Sequence, residues 1–236
     1  MPDDEEEMSL RRLIFAAGVF LAAVVLASPA VRGLPSGSPS AGAGQEAPVP
    51  GLSALDRQEI LKGHVVLKEL PNPGKKGRTF EAVGVLPCGL DEAFGVITDY
   101  RRYPEFMPHV EDAAVRPQGP GVSIVELRLG LPFGMTKRYR LHYLCSRSAE
   151  GFDITWQMVP WPEVPPDEQI ADTSGGWRVR KFEGGGLLAA YRVYTDPGHV
   201  PLGLTGLAMA LAKRSIPAVI EKTRDRIRTL SDSKKK

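Results

Sequence analysis

Between Val110 and Thr195 the chain passes through six short alternating segments: Val110–Arg116, Val122–Leu131, Met135–Cys145, Phe152–Met158, Trp177–Glu183 and Leu187–Thr195. Each is bounded by Gly, Pro or Asn/Asp/Ser-type turn residues, the pattern of successive strands joined by tight connections, and tight connections require antiparallel neighbours. A period of two then sorts the side chains. Val125, Leu127 and Leu129, Tyr139, Leu141 and Tyr143, Ile154 and Trp156, Trp177 and Val179, and Tyr191 and Val193 share one face. The other face carries Glu126, Arg128, Arg138, Arg140, Thr155, Gln157, Arg178, Arg180 and Arg192. A sheet with one solvated face and one aromatic face needs a cover for the second.

The end of the chain supplies that cover. From Leu202 to Leu230, Leu204, Leu207, Ala208, Leu211, Ile216, Val219, Ile220, Thr223, Ile227 and Leu230 recur at roughly helical spacing, with Lys213, Arg214, Glu221, Lys222, Arg224 and Asp225 mostly elsewhere. Pro217 removes one intrahelical hydrogen bond and predicts a kink or two abutting helices. A long amphipathic helix following a curved antiparallel sheet lies in its concave face. Upstream, Ser53 and Asp56 predict the N-cap of a short helix ending at Gly63. Strands are expected at Val65–Leu70 and Arg78–Leu86, around the turn Pro71-Asn72-Pro73-Gly74. Asp91 is the expected N-cap of a helix through Thr98, with Ala93, Phe94, Val96 and Ile97 on one face.

The segment from Asp99 to Pro108 concentrates three aromatics, two prolines and a methionine directly after that helix. Pro104 and Pro108 exclude a regular helix through it and push Tyr103 and Met107 toward extended geometry. Its large apolar groups must bury in a core or line something, and we read the segment as the wall of a hydrophobic cavity. Pro160 to Pro166 is too proline-rich for a central strand and reads as a loop over the sheet edge or the cavity mouth.

Charge and chemistry narrow the function classes. A net charge of +2 leaves no basic footprint for nucleic acid, and the terminal lysines 234–236 read as a solvated tail. Two cysteines, Cys88 and Cys145, exclude a disulfide-rich scaffold and a four-cysteine zinc site; they read as isolated buried thiols, with a Cys88–Cys145 pair the alternative in an oxidising compartment. His64, His109, His142 and His199 have no spacing that builds a metal site or a nucleophilic triad. Gly184-Gly185-Gly186 joins two strands and reads as a turn, not a phosphate loop. No catalytic residue, metal or cofactor is therefore assigned.

The first 31 residues read as an address. Arg11 and Arg12 precede the uncharged run Leu13–Ala27, and Ser28-Pro29-Ala30 offers small residues for cleavage. The apolar run is shorter than the ~20 residues that span a bilayer comfortably. The segment is thus a signal peptide or, if uncleaved, a short anchor that associates with the membrane. Either way the body is expected to be exported, to a periplasmic or extracytoplasmic location. Residues 32–50 are Gly, Pro, Ser and Ala with almost no bulky side chain, a flexible linker. Residues 51–231 form the expected domain and 232–236 a basic tail.

The order of strand, helix, broken helix, meander and long terminal helix resembles the helix-grip fold of the START-like (SRPBCC) superfamily. Within it, the chain is most similar to the polyketide cyclase/dehydratase and coenzyme Q-binding branch. The resemblance rests on Asp99-Tyr100, on Tyr103-Pro104-Glu105-Phe106-Met107-Pro108, on a strand start at Gly176-Trp177, and on Tyr191 through Asp196-Pro197-Gly198 with Pro201. It implies an α+β fold: a curved antiparallel sheet wrapped around a long C-terminal helix, with two short helices after the first strand. It also implies a deep apolar cavity between sheet and helix for a lipid, quinone or polyketide-like molecule. The residues expected to line it are Tyr103, Phe106, Met107, Leu127, Tyr139, Leu141, Tyr143, Trp156, Trp177, Tyr191, Leu207 and Leu211.

Binding, with transport or presentation of the ligand, is the expected activity. The fold hosts enzymes as well, so a cyclase/dehydratase-type reaction stays open, with His109 and Asp99 the groups to examine. A third alternative is an envelope adaptor that uses the arginine-rich outer face.

Overall fold

The computed structural model describes residues 52–131, 134, 136–198 and 205–233, with side chains in the last stretch described from 210 onward. The expectations for residues 1–50, for the Leu207 side chain and for the terminal lysines lie outside the described residues.

The elements in chain order are α1 (Ala54–Leu61), β1 (Val66–Leu70), β2 (Arg78–Leu86), α2 (Leu90–Thr98), a 3-10 turn (Tyr100–Arg102), α3 (Tyr103–Phe106), β3 (Val110–Gly119), β4 (Val122–Gly130), β5 (Thr136–Arg147), β6 (Gly151–Val159), a second 3-10 turn (Pro166–Glu168), β7 (Asp172–Lys181), β8 (Leu187–Asp196) and α4 (Thr205–Ser233). The strands form one curved antiparallel sheet in the order β1-β2-β8-β7-β6-β5-β4-β3. The fold is the expected α+β helix grip. Its short helices follow the second strand, not the first, because β1 and β2 are a hairpin at one edge.

That order places α2 and α3 on the long crossover from β2 to β3 at the opposite edge. α4 packs against β1, β2, β8, α2 and α3. Ile216, Ile220, Thr223 and Ile227 bury along one stripe of α4, at the three- and four-residue steps that keep side chains on one face. Pro217 lies inside this single helix, so there are no two abutting helices. The carbonyl it frees, four residues back at Lys213, falls on an exposed part of the helix where water can satisfy it.

Local chemistry explains the ends of the elements. Ser53 caps α1 through a reciprocal box: its Oγ accepts from the Asp56 amide at 3.1 Å, and the Asp56 carboxylate accepts from the Ser53 amide at 2.7 Å. α2 departs from expectation, since Gly89 and not Asp91 is its N-cap. Asp91 sits in the first turn, where a carboxylate favours the helix dipole, and pairs with Arg147. Met107 is extended as expected (φ −76°, ψ 139°), but Tyr103 is helical (φ −53°, ψ −38°). The reason is positional: Pro104 occupies the first turn of α3, where its missing N–H would have no partner anyway.

β7 begins at Asp172, well before the expected Trp177, and carries Gly175 and Gly176 within its span. A Cβ at Gly175 would lie 2.5 Å from Trp156 Cζ2 and 2.3 Å from the Arg192 carbonyl oxygen, so the glycine is what lets the indole lie flat across the strand.

Candidate functional site

A cavity of about 870 Å³ lies between the inner face of the sheet and α4. Its wall is a row of rings that crosses four strands. Centroid distances run 5.6 Å from Tyr143 to Trp156, 5.5 Å on to Tyr191 and 4.9 Å on to Trp177, and Tyr100, which does not line the cavity, backs Tyr143 at 4.5 Å. Register creates this row, because Tyr143 stands opposite Trp156 on the β5–β6 ladder and Trp177 opposite Tyr191 on the β7–β8 ladder. Tyr143, Trp156 and Trp177 are buried, at 5, 7 and 3% exposure.

Of the residues expected at the cavity, Tyr103, Met107, Leu127, Tyr139, Leu141, Tyr143, Trp156, Trp177, Tyr191 and Leu211 line it. Phe106 does not. It faces a smaller pocket of about 190 Å³ between α2, α3 and α4, together with Asp99 and Arg226. Tyr103 and Phe106, at the two ends of the one-turn helix α3, stay in edge contact at 5.7 Å between ring centroids, Tyr103 against the cavity and Phe106 on the side of α4. The Arg226 guanidinium lies 5.7 Å from the Phe106 ring centroid.

The polar groups of the wall and just behind it divide into two sets. Tyr103 donates to the Ile97 carbonyl at 2.6 Å, fixing the loop to the end of α2, and the Tyr100 hydroxyl lies 3.6 Å from Cys145 Sγ. For the hydroxyls of Tyr139, Tyr143 and Tyr191 there is no hydrogen-bond partner among the described residues. Burial raises the pKa of all three, and neighbouring phenols raise those of Tyr139 and Tyr143 further. The hydroxyls therefore remain protonated donors at any physiological pH.

Lys137 is the missed residue of greatest chemical weight. It lines the cavity beside Ile170 and Thr173 and follows the same alternation as Tyr139, Leu141 and Tyr143 on β5. Its ammonium donates to the Asp167 and Gln169 carbonyls at 2.6 and 3.0 Å, and burial lowers its pKa. Phe80, Ser215, Ile216 and Val219 also line the cavity. Strand and helix periodicity, extended to β2 and to the polar residues of β5 and α4, was the available signal.

His109 lines the cavity from a left-handed backbone (φ 63°), and its Nε2 lies 2.9 Å from Ser215 Oγ on α4. Burial lowers its pKa, favouring the neutral imidazole. Asp99 faces away from the cavity and pairs with Arg102 at 3.8 Å.

The outer face is internally neutralised. Glu126 is 9% exposed, although it lies on the polar side, because Arg140 and Arg116 close over it at 2.9 and 3.0 Å. Arg192 pairs with Glu81, Arg178 and Arg180 with Asp153, and Arg138 with Glu168. The Pro160–Pro166 loop brings the Trp161 ring against Arg138 and Arg140, each 4.9 Å away, so it folds over the outer face and reaches the cavity only through its continuation to Ile170.

The model of a family described as polyketide cyclase / dehydrase and lipid transport matches residues 86–210. None of the curated proteins matches the chain. Among solved structures, a STAR-related lipid transfer protein fragment from Xanthomonas axonopodis is similar with a TM-score of 0.59 at 16% identity, over 70% of this chain and 93% of that one. Human StAR-related lipid transfer protein 5 has a TM-score of 0.61 at 11% identity, over 71% and 84%. The Zhui aromatase/cyclase from Streptomyces sp. R1128 has a TM-score of 0.51 at 13% identity, over 69% and 94%. At these identities the likeness is one of fold.

Proposed function

The chain belongs to the polyketide cyclase / dehydrase and lipid transport family, and from that premise we propose that it binds a hydrophobic small molecule between sheet and α4 and carries or presents it. The observation that supports this reading is the cavity of about 870 Å³ walled by stacked aromatics. Its volume is within the usual range for ligand pockets, roughly 300–1,000 Å³. Aromatic rings and Met107 offer a broad apolar surface at little entropic cost. Native mass spectrometry before and after solvent extraction tests the proposal. A co-purifying mass that extraction removes is the expected result; a repeatedly empty chain that takes up no apolar fluorophore overturns it.

A second reading, a reaction on the bound molecule, has one observation in its favour: His109 is a histidine at the cavity, and burial favours its neutral form. Turnover that disappears in His109→Ala while ligand uptake persists would select it. The proposed site of action is extracytoplasmic, supported by Arg11-Arg12 and the uncharged run Leu13–Ala27. Among the described residues no helix is long and apolar enough to cross a membrane. Cell fractionation checks the location.

A further inference from the structure

One line of β5 side chains carries more information about the ligand than the apolar wall does. By strand alternation Lys137, Tyr139, Leu141 and Tyr143 share the inner face, and all four line the cavity. They run from the β5 end beside Ile170 and Thr173 to the ring row, a cation followed by a phenol, an aliphatic and a second phenol.

The cation is unusual in its setting. Among the described residues no carboxylate lies within ion-pair distance of Lys137, and Asp167 attracts it only from farther off, whereas outer-face arginines 138, 140, 178, 180 and 192 all have carboxylate partners. Two of the three ammonium N–H groups are used by the Asp167 and Gln169 carbonyls. These bonds fix the head group at the cavity and leave one donor and a whole positive charge. A partly buried charge without a close counter-ion is costly, and an anion at this point would offset the cost. Deeper in, the hydroxyls of Tyr139, Tyr143 and Tyr191 have no acceptor among the described residues. A pure hydrocarbon would leave those donors unmatched, while an oxygen on the buried body would satisfy them.

We infer that the ligand is an acidic amphiphile: its anionic group docks on Lys137, and its apolar body carries at least one oxygen acceptor that reaches the phenols. This inference rests on the cavity-binding reading and specifies its ligand class. At about 3.3 Å per residue, Lys137 and Tyr143 are separated by roughly 20 Å of strand, and Lys137 and Tyr139 by roughly 7 Å. Acid and acceptor are therefore separated by a distance in that interval.

The test measures displacement of the neutral fluorophore phenylnaphthylamine from the purified protein. Competitors are octadecanoic acid, its methyl ester, octadecyl phosphate, and oxo-octadecanoic acids with the ketone at successive positions. The acid is expected to bind about tenfold or more tightly than the ester, the scale of one hydrogen bond to a charged group. At least one oxo acid should bind better than the plain acid. Lys137→Met should abolish the acid–ester difference and Lys137→Arg should retain it. Lys137→Gln gives the same comparison if the methionine variant does not fold. Tyr143→Phe or Tyr191→Phe should remove the oxo preference and leave the acid–ester difference in place.

Whichever of octadecyl phosphate and octadecanoic acid binds better identifies the anion as phosphate or carboxylate. Equal binding of acid and ester by the unaltered protein overturns the inference, as does an acid preference that survives Lys137→Met. An oxo series no better than the plain acid also overturns it. In those cases fluorophore uptake leaves the cavity reading standing; if the fluorophore is not taken up at all, both fall.

Discussion

His109 Nε2 and Ser215 Oγ meet at 2.9 Å across 106 residues of sequence, joining the loop before β3 to the helix that covers the cavity. The histidine is exposed as a residue, yet partial desolvation of its ring lowers its pKa below the ordinary value near 6.5. Between the two values the unfolded chain binds the proton and the folded protein does not. The contribution is fully present above the unfolded pKa and is lost as pH falls through the folded one. Thermal unfolding followed from pH 8 to pH 5 should show an acid-side decline that His109→Gln makes shallower. An unchanged profile in the variant would assign the decline to other groups.

Gly175 is a second sensitive point. A methyl group there meets both the Trp156 ring and the Arg192 carbonyl, and the carbonyl belongs to a paired strand that moves little. Gly175→Ala should cost about 1–3 kcal/mol in urea unfolding. It should also alter tryptophan emission, since the Trp156 ring has to leave its stacking on Tyr191.

Glu126 should behave as the keystone of the outer face. Its removal leaves the 17%-exposed Arg140 side chain with Glu163 at 3.6 Å as its remaining carboxylate, beside the Pro160 carbonyl at 3.2 Å. Because Arg116 is largely exposed, the whole network is worth less than a fully buried one. Glu126→Ala is expected to cost roughly 1–3 kcal/mol. Adding Arg140→Met should recover part of the loss, which a double-mutant cycle in urea would measure.

The two thiols should be inert in the folded protein. Burial, helped by the nearby Glu92 carboxylate, pushes Cys88 up to about 11, and burial raises Cys145 as well. At pH 8 little thiolate is present, so iodoacetamide followed by intact-mass analysis should show little labelling until denaturant is added. Rapid labelling of native protein would contradict the burial of both sites.

Most of the sheet was legible because its information is local: alternation in Tyr139–Tyr143 or Trp177–Val179 needs no knowledge of partners. The failures share a different cause. Tyr103 is helical because a proline's effect depends on whether it sits in a first turn or an interior one, and that turn is set by packing against α2 and β3. β7 was read short because mid-strand glycines imitate a turn, and only the Trp156 indole on the neighbouring strand explains them. Lys137 was overlooked since a charged residue on an apolar face looks like noise until its two carbonyl partners, thirty residues away, come into place.

The pairing of β2 with β8 also sets an order of assembly. The Glu81–Arg192 bond closes a span of 111 residues, so the sheet cannot be completed until almost the whole domain has been synthesised. α4 arrives later still and adds no strand to the sheet. It is held through side chains: Arg224 to the Val85 and Gly63 carbonyls, Arg226 to Glu105, Ser231 to Glu92, and Ser215 to His109. The piece made after the sheet is thus also the one joined to it without backbone pairing. Exposing the interior leaves the backbone ladder intact; it requires breaking a handful of side-chain bonds and uncovering the apolar stripe of Ile216, Ile220 and Ile227.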